Sequence, residues 1–160
     1  MSAGSDVLRD HLVELLRGGS AHLTLDEAVR DFPPEFYGAA PNGAPHTAWQ
    51  LLEHIRIALR DLLEFCTDPS YVAPEWPKDY WPESKSPSSA QQWEASVQEV
   101  RQYLETFEKL AAGPTEKLTA RIPWGEGQTL LREILLAADH TSYHLGQIVL
   151  LRRQMEAPRS

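Results

Sequence analysis

Four segments of this chain repeat apolar residues at intervals of three and four, and proline and glycine crowd the connections between them. That interval places side chains on one face of an α-helix, so each segment reads as a helix with a stripe to bury. The first covers residues 5–17, with Val7, Leu8, Leu12 and Leu15 on its stripe, and Gly18-Gly19 ends it. A short helical turn at 25–29 precedes an irregular stretch through Phe32-Pro33-Pro34 and residues 39–45. The second helix covers 47–66, where Thr47-Ala48-Trp49-Gln50 has the form of a capping box and Asp68-Pro69 is the stop. The third covers 89–112 and ends at Gly113-Pro114, and the fourth covers 129–155. Between them, Ile122 to Gly127 has room for a short extended piece or turn.

The connection from Thr67 to Ser88 holds Pro74, Trp76, Pro77, Tyr80, Trp81, Pro82 and Pro87. It is too long for a tight helical hairpin, so the chain is expected to cross the end or side of the bundle there. The pattern therefore predicts an all-α fold, a four-helix bundle with one long crossover between helices 2 and 3. No βαβ pattern or alternating strand pattern competes. With 160 residues, 42% of them hydrophobic and 24% charged, residues 1–160 are expected to form one globular domain around one core.

A net charge of −8 and a pI near 5.2 argue against nucleic acid as a partner, because phosphate binding needs clustered Lys and Arg. Arg152, Arg153 and Arg159 read as cations favoured at a helix C-terminus. No apolar run reaches the roughly 18–20 residues of a membrane span. The first residues lack the basic and apolar regions of a secretory signal. The single cysteine, Cys66, forms no internal disulfide, and the expected compartment is the cytoplasm.

Histidine carries the chemistry. His140 and His144 lie four apart on the apolar stripe of the last helix, one turn from each other, and His54 lies on the apolar stripe of the second. Taken singly, each reads as a core histidine bonded to Tyr, Ser or a carboxylate. Three buried imidazoles in one small core are hard to satisfy separately, and a divalent metal that takes one nitrogen from each solves the problem. Gln147, one turn past His144, is placed to hydrogen-bond a ligand or a metal-bound water. Tyr143 reads as a lining or core residue, and Gly146 as a point where another helix could approach closely. Asp139 and Glu53 each adjoin a proposed ligand and so face elsewhere.

His46 belongs to the capping region of the second helix, His22 to a loop, and His11 to a position that could line the cavity. Trp49 and Trp124 read as packing residues, with Trp124 in a loop able to roof the site. Cys66 lies roughly three turns, about 18 Å, along the helix from His54, too far to share the metal.

The segments Trp49-Gln50-Leu51-Leu52-Glu53-His54 and His140-Thr141-Ser142-Tyr143-His144-Leu145-Gly146-Gln147-Ile148 resemble the DinB-like superfamily of metalloenzymes, over nearly the whole chain. The resemblance implies an up-down-down-up bundle. It implies a divalent metal, zinc or nickel, on His54, His140 and His144, and a homodimer. It also implies thiol chemistry, since characterised relatives include mycothiol- and bacillithiol-type S-transferases and a mycothiol-dependent maleylpyruvate isomerase.

Three neutral ligands leave a metal its charge and open positions, enough to lower the pKa of a bound thiol or water. The leading expectation is a transferase joining a low-molecular-weight thiol to an electrophilic small molecule. Metal-assisted hydrolysis is a second reading. A metal that only stabilises the bundle, in a stress-response or binding protein, is a third. No subsite for a particular thiol is visible, although Arg56, Arg60 or Arg132 could supply a basic clamp.

Overall fold

The computed structural model describes residues 3–41 and 43–157. Its helices are α1 (Ala3–Arg17), α2 (Leu25–Val29), α3 (Ala48–Thr67), α4 (Ala90–Ala111), α5 (Thr115–Thr119) and α6 (Leu130–Glu156). Single 3-10 turns lie at Pro34–Phe36 and Lys78–Tyr80. Among the described residues the one β feature is an isolated bridge between Arg121 and Thr129, closing the turn where a short extended piece was expected. The fold is all-helical, as the periodicity predicts.

The helix ends follow local chemistry. Thr47 caps α3 by accepting from Gln50 N at 3.2 Å, while the Gln50 side chain accepts from Thr47 N at 3.1 Å, completing the capping box. Ser89 and Thr129 cap α4 and α6 by accepting from the third residue onward. Gly18, at φ +68°, ends α1 in a left-handed conformation that costs glycine little.

Two short elements escape the sequence pattern. Helix α5 follows Pro114 directly and is anchored by the fully buried Leu118, and the turn at Lys78–Tyr80 lies within the crossover. Leu118 is the one buried residue of α5, so no apolar period marks that helix.

Helix α3 lies at the centre of the packing, against both α4 and α6. Arg56 reaches Glu99, and further along the Tyr103 hydroxyl feels Arg60 and Glu64, so α3 and α4 pair in register in the same direction. A hairpin would reverse that order; the Thr67–Ser88 segment has to carry the chain back along the bundle. Helices α3 and α6 run oppositely: Leu51 meets Leu151 beside one cavity, His54 meets His140 and His144, and Cys66 feels Glu133.

One end is closed by rings. Tyr37 stacks on Trp93 at 4.1 Å between centroids, with Phe32 at 5.1 Å from Trp93. Arg152 is more than a helix-end charge. It donates to the carbonyls of Arg30 (2.6 Å) and Asp31 (3.3 Å), tying α6 to the exit of α2. Arg159 and Asn42 lie outside the described residues.

Thr47 joins this framework to the crossover, because its hydroxyl also donates to the Lys85 carbonyl at 2.7 Å. Replacing Thr47 with Ala should lower unfolding free energy by about 1–2 kcal/mol, the scale of a lost cap. Urea denaturation followed by circular dichroism checks this, and Thr47→Ser should recover most of the loss.

Candidate metal centre

The opposed directions of α3 and α6 bring His54 against His140 and His144. Each ring offers a nitrogen, and these atoms lie within 4.8 Å of one another. The closest pair, His54 Nε2 and His140 Nε2, is 3.1 Å apart. His54 is 2% exposed, His144 is buried and His140 half-buried.

The outer nitrogens decide what the inner ones can do. His54 Nδ1 lies 2.7 Å from the Tyr80 carbonyl, an acceptor only, so Nδ1 carries the proton and a neutral ring leaves Nε2 bare. His144 Nδ1 is 3.0 Å from Gln147 Oε1, which fixes its ring in the same way. The bare Nε2 of His54 faces another imidazole nitrogen at a distance where two lone pairs repel. A shared proton or a cation between them relieves this. Ligands bonded tetrahedrally at about 2.0–2.1 Å sit roughly 3.3 Å apart, close to the His54–His140 separation, and the third nitrogen lies near enough that the group could hold a divalent ion. Among the described residues the cluster contains no fourth ligand.

Burial lowers all three pKa values. His140 falls furthest, to about 4, through desolvation first and then the neighbouring rings of His144 and His54. For His54 and His144, desolvation outweighs the bonds to Tyr80 and Gln147 that favour the proton. The rings are therefore neutral at pH 7, the form a metal binds.

The Tyr80 carbonyl is held in place by a buried carboxylate two turns beyond His54 on the same helix face. Asp61 accepts from the Tyr80 hydroxyl at 2.7 Å and from the Tyr71 hydroxyl at 2.6 Å, pinning the crossover loop to α3 at two points. Burial first, and then the bond to Asp61, raises both phenol pKa values well above the usual range, so the hydroxyls stay donors. The next loop residue, Trp81, lies flat on His54, at 3.9 Å between centroids and 3° between planes. His46 stacks on the other face of Trp81 at 4.0 Å.

Sequence reasoning did not assign Asp61, Tyr71, Tyr80 or Trp81 to the site, and placed His46 only in a cap. The available signal was Asp61 itself, a carboxylate seven residues after His54 on an otherwise apolar face.

Other expected residues lie elsewhere. Tyr143 is 64% exposed and gives only a ring edge to His144, at 4.8 Å. No helix of this chain packs on Gly146: among the described residues, a Cβ there would meet nothing within 4 Å. His11 is exposed beside Glu14 rather than lining a cavity, and His22 bonds the Leu23 carbonyl. Trp124 does not roof the site; its Nε1–H donates to the Phe65 carbonyl near the far end of α3.

The three arginines offer no open clamp. Arg56 is held by both carboxylate oxygens of Glu53 and by Glu99, Arg60 faces Glu64, and Arg132 pairs with the buried Glu133. Cys66 is partly buried, and burial pushes its thiol up to about 12, so it stays protonated.

A helical fold with three clustered imidazole nitrogens, and no fourth ligand among the described residues, defines a class, the open three-histidine sites able to hold a metal. The model of the DinB superfamily matches residues 20–148, and the chain belongs to that superfamily. No curated protein sequence matches it.

His140→Ala or His144→Ala should abolish stoichiometric metal binding, while His22→Ala leaves it unchanged, as read by metal analysis of protein purified without a tag. Asp61→Ala should weaken metal affinity about 10–100-fold by freeing the Tyr80 carbonyl, with helical content preserved. Competition with a chromogenic chelator measures it.

Proposed function

We propose that this protein is a metal-dependent transferase that joins a low-molecular-weight thiol to an electrophilic small molecule. The observation that carries the reading is the convergence of His54, His140 and His144 without a fourth ligand among the described residues. A structural ion is normally enclosed by four protein ligands, whereas a catalytic one keeps a position open. Imidazole ligands suit zinc or nickel. A divalent ion held there supplies positive charge that lowers the pKa of a bound thiol.

The chain's own groups do the rest. His54 and His144 keep their Nε2 atoms aimed inward because Tyr80 and Gln147 hold the opposite nitrogens. Trp81 covers the face of His54 and keeps water from it. The thiol gives its proton to solvent, its sulfur forms a bond to the electrophilic carbon, and the leaving group departs with a proton or the carbon skeleton takes one up.

Thiol transfer is favoured over hydrolysis by the carboxylates nearby. Hydrolysis gains most from a general base beside the bound water, and neither carboxylate adjoining a ligand supplies one: Glu53 is held by Arg56, and Asp139 is exposed on another face of α6. A second copy of the chain is part of the same proposal, and light scattering should give twice the 18.1 kDa chain mass.

Zinc- or nickel-loaded protein should consume a small thiol in the presence of an alkyl halide or enone at least tenfold faster than chelator-stripped protein. His144→Ala should behave as the stripped protein. Metal-dependent ester cleavage without thiol consumption would replace this reading with hydrolysis. If removing the metal lowers only the melting temperature, the metal is structural.

A further inference from the structure

One surface cavity lies beside the metal centre, joined to it through Gln147, which holds His144. It lies between the chain entering α3 and the C-terminal half of α6 and measures about 360 Å³, within the range of small-molecule sites. Pro45, Leu51, Leu150 and Leu151 form its apolar lining, and His46, Gln147 and Gln154 its polar edge. Two larger cavities, about 600 and 620 Å³, are lined by neither the three histidines nor the groups that touch them.

Two of the cavity's three polar residues, His46 and Gln147, connect to the site; Gln154 does not. Gln147 uses its Oε1 to hold His144 Nδ1, and its NH2 group donates to no protein atom among the described residues. That leaves two N–H donors at the cavity edge. His46 is the outer ring of a stack that continues through Trp81 to His54. Among the described residues no Lys, Arg, Asp or Glu lines the space, although the chain carries 38 such residues (15 basic and 23 acidic). A charged ligand would lose hydration there without gaining a partner.

We propose that this cavity binds the electrophilic substrate. Its occupant is a neutral molecule with an apolar ring or short-chain body and an acceptor oxygen, such as a carbonyl, facing the Gln147 amide. The body rests on Leu51, Leu150 and Leu151, and His46 bounds it on the side of the metal centre. Naming the occupant an electrophile rests on the transferase reading; the binding of a neutral apolar carbonyl compound does not.

The probes separate the two. 4-Phenylbutan-2-one carries the apolar body and the carbonyl but no electrophilic alkene, and benzylideneacetone is its reactive enone counterpart. Titrating the saturated ketone into zinc-loaded, nitrogen-15-labelled full chain should shift the Gln147 side-chain amide pair. Leu150→Glu should raise the Kd at least tenfold by placing a charge in the cavity. Leu150 is 55% exposed and outside the metal centre, so metal stoichiometry and melting temperature should hold.

Saturable shifts at Gln147 that Leu150→Glu weakens support the cavity, even if the enone consumes no thiol; that last result would refute only the transferase reading. Thiol consumption with the enone but no ketone shift at Gln147 would overturn the cavity and leave the transferase standing. Shifts confined to other residues, or a Kd that Leu150→Glu leaves unchanged, would also overturn it.

Discussion

The arrangement of the site depends on one buried carboxylate. Asp61 accepts two tyrosine hydroxyls, from Tyr71 and Tyr80, and so fastens a proline-rich crossover to the helix that carries His54. An unpartnered carboxylate in that position would bear a large desolvation cost, so the two phenols and the carboxylate stabilise one another only in this loop conformation. The Tyr80 backbone then receives the His54 Nδ1 proton, and the adjoining Trp81 ring covers His54. One side-chain contact thereby sets a tautomer, a ring orientation and the exclusion of water from one face.

The same economy holds on α6. Gln147 fixes the His144 tautomer through its carbonyl oxygen and presents its NH2 group to the neighbouring cavity. Burial keeps the three rings neutral, and neutral rings leave an ion its full charge to act on a ligand. The arginines near this region neutralise buried or neighbouring carboxylates instead of reaching into the site, as the Glu53–Arg56–Glu99 network illustrates. A metal held there would be the centre's source of positive charge, since the nearby arginines are taken up by carboxylates.

Much of this was legible along the chain. A period of three to four is a local property, and so are the caps at Thr47, Ser89 and Thr129, which bond within three residues. The spacing of His140 and His144 is local too, because one helical turn sets it. That His54 would face them required only two apolar stripes seeking the same core. The role of Gln147 also follows from helix geometry, since it meets His144 three residues away.

The rest depended on contacts that no local rule encodes. Tyr80 reaches back 19 residues to Asp61, and its carbonyl 26 residues to His54, by way of a loop whose prolines signal irregularity but not direction. Trp124 was free, on sequence grounds, to roof the site, yet the path of its loop takes it to Phe65. His46 looked like a capping-region residue because its position on the chain is visible and the Trp81 ring that meets it is not. The sequence by itself determined the helices, their buried faces and the three converging imidazoles, because those follow from periods of a few residues. Only the tertiary structure decided what holds the rings and what lies beside them, because loop paths are set by side chains that meet after the helices have packed.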